Sequence, residues 1–152
     1  MNDIQRYVTE LPLEARTFFS LVDATARLIG FSEKYWSSKG LNGARIRLLV
    51  EIAKAGGTIL PSDLAARIGV TRANISVLLV PLEEAGYLTS SDHPEDGRKR
   101  IVVLAPEGER LLRDVLPGNR SVIASRMEGL NDEEKVQLLT LLGKLQKGTA
   151  TP

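Results

Sequence analysis

Apolar residues recur at helical spacing over the stretch from about Glu14 to Ser37. Phe18, Leu21, Val22, Leu28, Ile29, Tyr35 and Trp36 fall on one stripe, with Pro12 before the run and Gly40 after it. A second helix is predicted from Gly43 to about Ala55, with Asn42 as N-cap, Gly56-Gly57 as terminator and Ile46, Leu49, Val50 and Ile52 facing inward. Thr58-Ile59-Leu60 is β-branched and long enough for one edge strand. Pro61 then stands at the first position of a short helix carrying Leu64, Ala65 and Ile68, which Gly69 ends. Thr71 caps the next helix, whose inward positions are Ile75, Leu78, Leu79 and Leu82, and Gly86 closes it. The pattern then changes to strand-like: Tyr87-Leu88-Thr89 and Arg100-Ile101-Val102-Val103-Leu104 form a hairpin around the polar turn formers Asp92 to Gly97. Helical periodicity returns after Pro106 and Gly108 with Leu111, Leu112, Val115 and Leu116, and a break or kink is expected at Pro117-Gly118 before a further stretch from Asn119 to Met127. A last helix starts at Asn131, with Glu134 in capping-box position and Val136, Leu138, Leu139, Leu142 and Leu145 along it, and fraying is expected from Gly148 onward.

Composition narrows the chemistry. The chain has 152 residues, a single-domain length, with no cysteine and one histidine, His93. Thiolate zinc sites, iron–sulfur clusters, cysteine nucleophiles and thiol redox switching are therefore excluded, and no metal or cofactor is expected. His93 precedes Pro94 in the hairpin tip with no second histidine for a triad, and Asp132-Glu133-Glu134 complements a helix dipole, so no catalytic set is expected either. No apolar run approaches the roughly 20 residues of a membrane span, and Met1 opens onto Asn2 and Asp3. A cytoplasmic protein without membrane contact is expected. Net charge is +1, yet residues 61–108 carry 5 Lys/Arg against 7 Asp/Glu, a local −2 that nevertheless holds the dense triplet Arg98-Lys99-Arg100. Local placement of charge matters more here than its total.

Two short helices joined at a glycine and followed by a β-hairpin make a winged helix-turn-helix, in a chain that is otherwise mainly α. In that arrangement the helix before Gly69 braces the one after Thr71, whose N-terminal end enters a major groove. Arg72, Asn74 and Ser76 would face outward there, and arginine reads guanine as asparagine reads adenine. A helix pair of this kind also occurs in bland helical domains, and a basic triplet on a strand also serves to block edge aggregation. The triplet directly after this helix pair is what favours double-stranded DNA as partner.

From Leu41 to Glu109 the sequence resembles the MarR (multiple antibiotic resistance regulator) family of bacterial transcription factors. The resemblance rests on Leu64-Ala65-Ala66-Arg67-Ile68-Gly69-Val70-Thr71, on Leu82-Glu83-Glu84-Ala85-Gly86-Tyr87-Leu88, and on the wing Asp96-Gly97-Arg98-Lys99-Arg100 followed by Leu104-Ala105-Pro106-Glu107-Gly108. It implies a homodimer in which residues 1–40 and 109–152 supply a helical dimerisation lobe and residues 41–108 a DNA-binding lobe that reads a palindromic operator. The DNA-facing set it implies is Thr71, Arg72, Ala73, Asn74, Ser76 and Val77 on the helix, with Arg98, Lys99 and Arg100 on the wing. Arg98 is expected in a minor groove, and Asp96 is expected to brace the wing by pairing with Arg98 or Arg100. Val77 and Pro81 stand where family members often carry Arg or Lys. They and the acidic middle segment keep a rival reading, a winged-helix protein-interaction module that has lost strong DNA binding. The resemblance further implies a pocket for a small aromatic or anionic ligand near Phe18, Phe19, Tyr35 and Trp36, with Arg45 or Arg47 as the anion's partner. The expected activity is that of a transcriptional regulator, a repressor released by such a ligand.

Overall fold

The computed structural model describes residues 2–149 and contains seven helices and three strands among them. In chain order they are α1 (Asp3–Thr9), α2 (Leu13–Ser38), α3 (Gly43–Lys54), β1 (Thr58–Ile59), α4 (Pro61–Ile68), α5 (Arg72–Glu84), β2 (Leu88–Asp92), β3 (Arg100–Leu104), α6 (Pro106–Arg126) and α7 (Asp132–Thr149). Met1 and residues 150–152, part of the tail expected to fray, lie outside the described residues.

Local chemistry sets most boundaries. The Asn42 side chain accepts the Arg45 N–H at 2.9 Å and the Thr71 hydroxyl accepts the Asn74 N–H at 3.2 Å, each satisfying an orphan donor of its helix. At α7 the capping box closes in both directions: Glu134 N–H to Asn131 Oδ1 at 2.8 Å and Asn131 N–H to Glu134 Oε1 at 3.0 Å. Gly69 ends α4 at φ +76°, a left-handed conformation that a Cβ would strain, with its N–H on the Ala65 carbonyl at 2.9 Å. The sheet is antiparallel in the order β1-β3-β2, so the short β1 is an edge strand.

Leu48, Leu49, Ile52, Leu64, Ile75, Leu88 and Val102 are the fully buried side chains, so the core belongs to α3, α4, α5 and the sheet. In contrast, α1, α2 and α7 contribute only one buried residue, Trp36. Phe18, Phe19, Leu21, Val22, Leu28 and Ile29 of α2 are exposed in the single chain, as are Val136, Leu138, Leu139, Leu141 and Leu145 of α7. No single helix among the described residues is long and apolar enough to cross a membrane.

Three sequence-based expectations need correction. The pattern misses α1 altogether, because seven residues with Ile4, Tyr7 and Val8 give too short a run to establish a period. In the hairpin, Tyr87 lies before β2, while Ser90, Ser91 and Asp92 belong to it and pair with Val102, Ile101 and Arg100, so the ladder runs three rungs beyond the expected Thr89. Pro117-Gly118 does not break α6, which runs unbroken from Pro106 to Arg126. An interior proline costs about 3 kcal/mol. Burial of Leu112 and Val115 offsets that cost, at roughly 1.5–3 kcal/mol each. The Tyr35 hydroxyl adds a hydrogen bond to the Val115 carbonyl at 2.6 Å, and its ring packs where a Cβ on Gly118 would collide.

Candidate nucleic-acid interface

Helices α4 and α5 meet at 101°, inside the roughly 90–120° range of helix-turn-helix pairs. With Ile75, Leu79 and Leu82 committed to the core, the opposite face of α5 is exposed, and it carries Arg72, Ala73, Asn74, Ser76, Val77 and Val80. The Thr71 cap holds the first turn open to solvent with its N–H groups outward, an arrangement that favours phosphate. Ser76 turns its hydroxyl back to the Arg72 carbonyl at 3.3 Å, so the freely directed polar groups of this face are Arg72 and Asn74.

The wing tip is built by backbone bonds. His93 N–H donates to the Lys99 carbonyl at 2.6 Å beyond the last strand pair, and Lys99 N–H donates to the Asp96 carbonyl at 3.0 Å. Asp96 Oδ1 accepts the Arg98 main-chain N–H at 3.1 Å, an Asx-type turn, and among the described residues the Asp96 carboxylate forms no ion pair with the Arg98 guanidinium. The expected brace is therefore corrected. Asp96 holds the Arg98 backbone, and the carboxylate that meets Arg100 is that of Asp92, 4.0 Å away across the hairpin. The reason is register: Asp92 and Arg100 are cross-strand partners, while Asp96 sits inside the turn. Both members of the pair are well exposed, so the contact is weak and Arg100 is available to an external anion.

Between α5 and the wing lies a cleft of about 460 Å³ lined by Arg72, Arg98, Lys99 and Arg100, with Ser62 at the N-terminal turn of α4 and Ser76 opposite. Four cations thus converge from two elements, with 26 positions of sequence separating Arg72 from Arg98, within an otherwise acidic segment. Such a groove attracts and tracks a polyanion. Sequence reasoning missed the contribution of α4. Its one signal is Pro61, which marks a helix start whose N–H groups have no partners within the helix. It also missed Glu83, whose Oε1 accepts the Ser90 N–H at 3.0 Å and ties the end of α5 to the outer edge of β2.

The ligand residues do not assemble as expected. Phe18 stacks edge-on against Phe19 and Tyr35 against Trp36, but 17 positions of helix, about 25 Å, separate the two pairs along α2. Tyr35 points to α6 and spends its hydroxyl on Val115. Trp36 alone lines a cleft of about 560 Å³ between α2, α3 and α6, where Arg47, Lys54, Glu33 and Glu51 supply charge. Arg45 is exposed and absent from this cleft, because residues two apart on α3 lie about 200° apart around the helix. Lys54 holds Glu51 at 2.9 Å, and that bond, aided by the positive charges of Lys54, Arg67 and Arg47, draws the Glu51 carboxyl below its ordinary pKa. Among the described residues no group of three or more His, Cys, Asp or Glu side chains could hold a metal ion.

Comparison with known proteins agrees with this geometry. A sequence model of the MarR family matches residues 39–99. The transcriptional repressor YetL of Bacillus subtilis (strain 168) is 36% identical over 129 residues, covering 84% of this chain and 77% of that protein. Among solved structures, the fold is similar to that of Sco3205, a MarR family transcriptional regulator from Streptomyces coelicolor in complex with DNA, with a TM-score of 0.84 at 23% identity over 93% of this chain and 91% of that one. It is equally similar to the organohalide-sensing regulator RdhR-CbdbA1625 bound to 2,4-dichlorophenol, with a TM-score of 0.84 at 21% identity over 98% of this chain and 86% of that one. The helix pair, the wing and the extent of the match to YetL agree, and the chain belongs to the MarR family of DNA-binding transcriptional regulators.

Proposed function

We propose that this regulator acts as a homodimeric repressor of a palindromic operator, with residues 41–108 as the DNA-binding lobe and residues 1–40 and 109–152 as the dimerisation lobe. The observation that carries the reading is the cation-lined cleft between α5 and the wing. The N-terminal turn of α5 enters the major groove, Arg72 and Asn74 meet base edges, and Arg98 reaches the adjacent minor groove, whose negative potential attracts it. Thr71, Ser76, Lys99 and Arg100 contact the backbone. Dimerisation is supported by the apolar surface of α1, α2 and α7, too extensive to be left in water by a monomer. A two-fold pair of lobes gains affinity by engaging half-sites about 10 bp apart. The relative YetL is named a repressor, and the structural neighbour Sco3205 was solved with DNA.

A small aromatic ligand releases the operator by occupying the Trp36 cleft, which has the volume of a ligand site and sits where the lobes join. RdhR-CbdbA1625 was solved with such a molecule, 2,4-dichlorophenol. Arg47, which forms no ion pair among the described residues, suits a phenolate or carboxylate, whereas Lys54 is engaged by Glu51.

The test is selection of binding sites from random duplex DNA by the full-length protein, with mass measurement in solution. Enrichment of an inverted repeat bound by a dimer, with affinity falling steeply in salt, is the expected result. A monomer in solution, or failure to enrich any sequence at low salt, overturns the proposal.

A further inference from the structure

The outward face of α5 carries an apolar stripe beside its polar residues, where a DNA reader is expected to be polar. Val77 is 71% exposed and Val80 49% exposed, and both lie opposite the buried Ile75, Leu79 and Leu82. Ala73, Val77 and Val80 follow the i, i+4, i+7 spacing of one helical stripe. No side chain of the core covers Val77, and a β-branched residue on a solvent face adds nothing to helix stability. Helical side chains lean toward the N-terminus, so Val77 projects over the turn of Ala73, the end of α5 beside Arg72 and the wing cations.

We infer that Ala73 and Val77 read the C5-methyl groups of thymines in the operator half-site. Thymine alone among the four bases presents an apolar group on the major-groove floor, and small apolar side chains are its complement. An isopropyl group placed there excludes water from the methyl and leaves no base donor or acceptor served, which penalises cytosine and guanine at the same step. Arg72 and Asn74 flank this stripe at the N-terminal turn, so polar readout and methyl readout act on neighbouring base pairs. The absence of a cation at position 77 thus defines a type of contact rather than a lost one. This inference rests on the DNA-binding reading above and specifies which bases it selects.

The experiment takes the duplex enriched by the full-length protein and replaces its thymines one at a time with deoxyuridine, which removes only the methyl. One or two thymines in each half-site should lose about fourfold in affinity each, the worth of one methyl-sized group returned to water. In Val77→Ala one of these sensitivities should fall below twofold while the salt dependence stays that of the unmodified protein. Val77→Thr, which replaces one methyl by a hydroxyl at nearly unchanged size, serves as a second variant, and the helical circular dichroism of both should match the parent. Tight binding of the selected duplex with every deoxyuridine tolerated, or the same pattern in Val77→Ala, overturns the inference and leaves DNA binding intact. In that case the exposed valines face a protein partner. Failure to bind any duplex at low salt overturns the DNA-binding reading and this inference together.

Discussion

Arg98→Ala is the sharpest perturbation of the wing, because the backbone there does not depend on the side chain removed. The turn is held by Asp96 Oδ1 on the Arg98 N–H and by the Lys99 N–H on the Asp96 carbonyl, both of which alanine keeps. The cleft holds four cations per protomer, Arg72, Arg98, Lys99 and Arg100. If each of the eight in a dimer displaces one counterion, whether it lies at a phosphate or in a groove, the slope of log affinity against log salt is about −7, since each contributes about −0.9. Removing Arg98 from both protomers leaves six and brings the slope to about −5.4. Between 50 and 200 mM salt the parent should then lose about 10⁴-fold in affinity and the variant about 10³-fold. Fluorescence anisotropy on an enriched operator and on an unrelated duplex, each over that salt range, measures both slopes. The loss should be similar on the two duplexes, because a charge contact in the minor groove carries little base information. Arg72→Ala should instead act mainly on the operator, costing roughly 1–3 kcal/mol at particular base pairs. Unchanged affinity and slope in Arg98→Ala would mean that the basic triplet is a solvated strand edge, and the assignment of the wing would be wrong.

Three further predictions concern the scaffold that orients this site. Gly108→Ala gains about 1 kcal/mol of helix propensity but drives a Cβ into the Tyr87 carbonyl, which is fixed by the Ala105 N–H at 3.0 Å, and to 2.8 Å from Leu104 Cδ1. Overpacking of this kind costs about 1–3 kcal/mol. Denaturant unfolding should therefore show a lower midpoint with an unchanged m-value, and a variant as stable as the parent would refute the contact. Tyr35→Phe removes the 2.6 Å bond to the Val115 carbonyl, for a cost of about 1 kcal/mol, read as a melting temperature about 2–4 °C lower. Glu51 has its pKa lowered by Lys54, Arg67 and Arg47. Its contribution to stability is complete above its unfolded pKa, about 4.3, and is lost as pH falls through the lower folded value. Glu51→Gln should thus lose less stability than the parent between about pH 5 and pH 3, and identical acid titrations of stability would contradict the ion pairs.

Helix starts and stops were legible along the chain because they are local. The Asn42, Thr71 and Asn131 caps each bond three residues ahead, and Gly69 needs its left-handed φ regardless of what packs on it. The helix-turn-helix and the basic wing were legible for the same reason, since order and spacing alone define them. Partner choice among like residues was not. Asp92 rather than Asp96 meets Arg100 because strand register decides it, and Arg47 rather than Arg45 lines the Trp36 cleft because rotation about α3 decides it. The unbroken α6 depends on contacts from far away, with Tyr35 reaching Val115 across 80 positions of sequence. Proline's local preference was read correctly and was overridden by burial that no neighbouring residue announces. The exposed valines of α5 belong to both levels. Their apolar character is plain in the sequence, but only the packing of Ile75, Leu79 and Leu82 on the other side of the helix shows that they face outward, where a base can meet them.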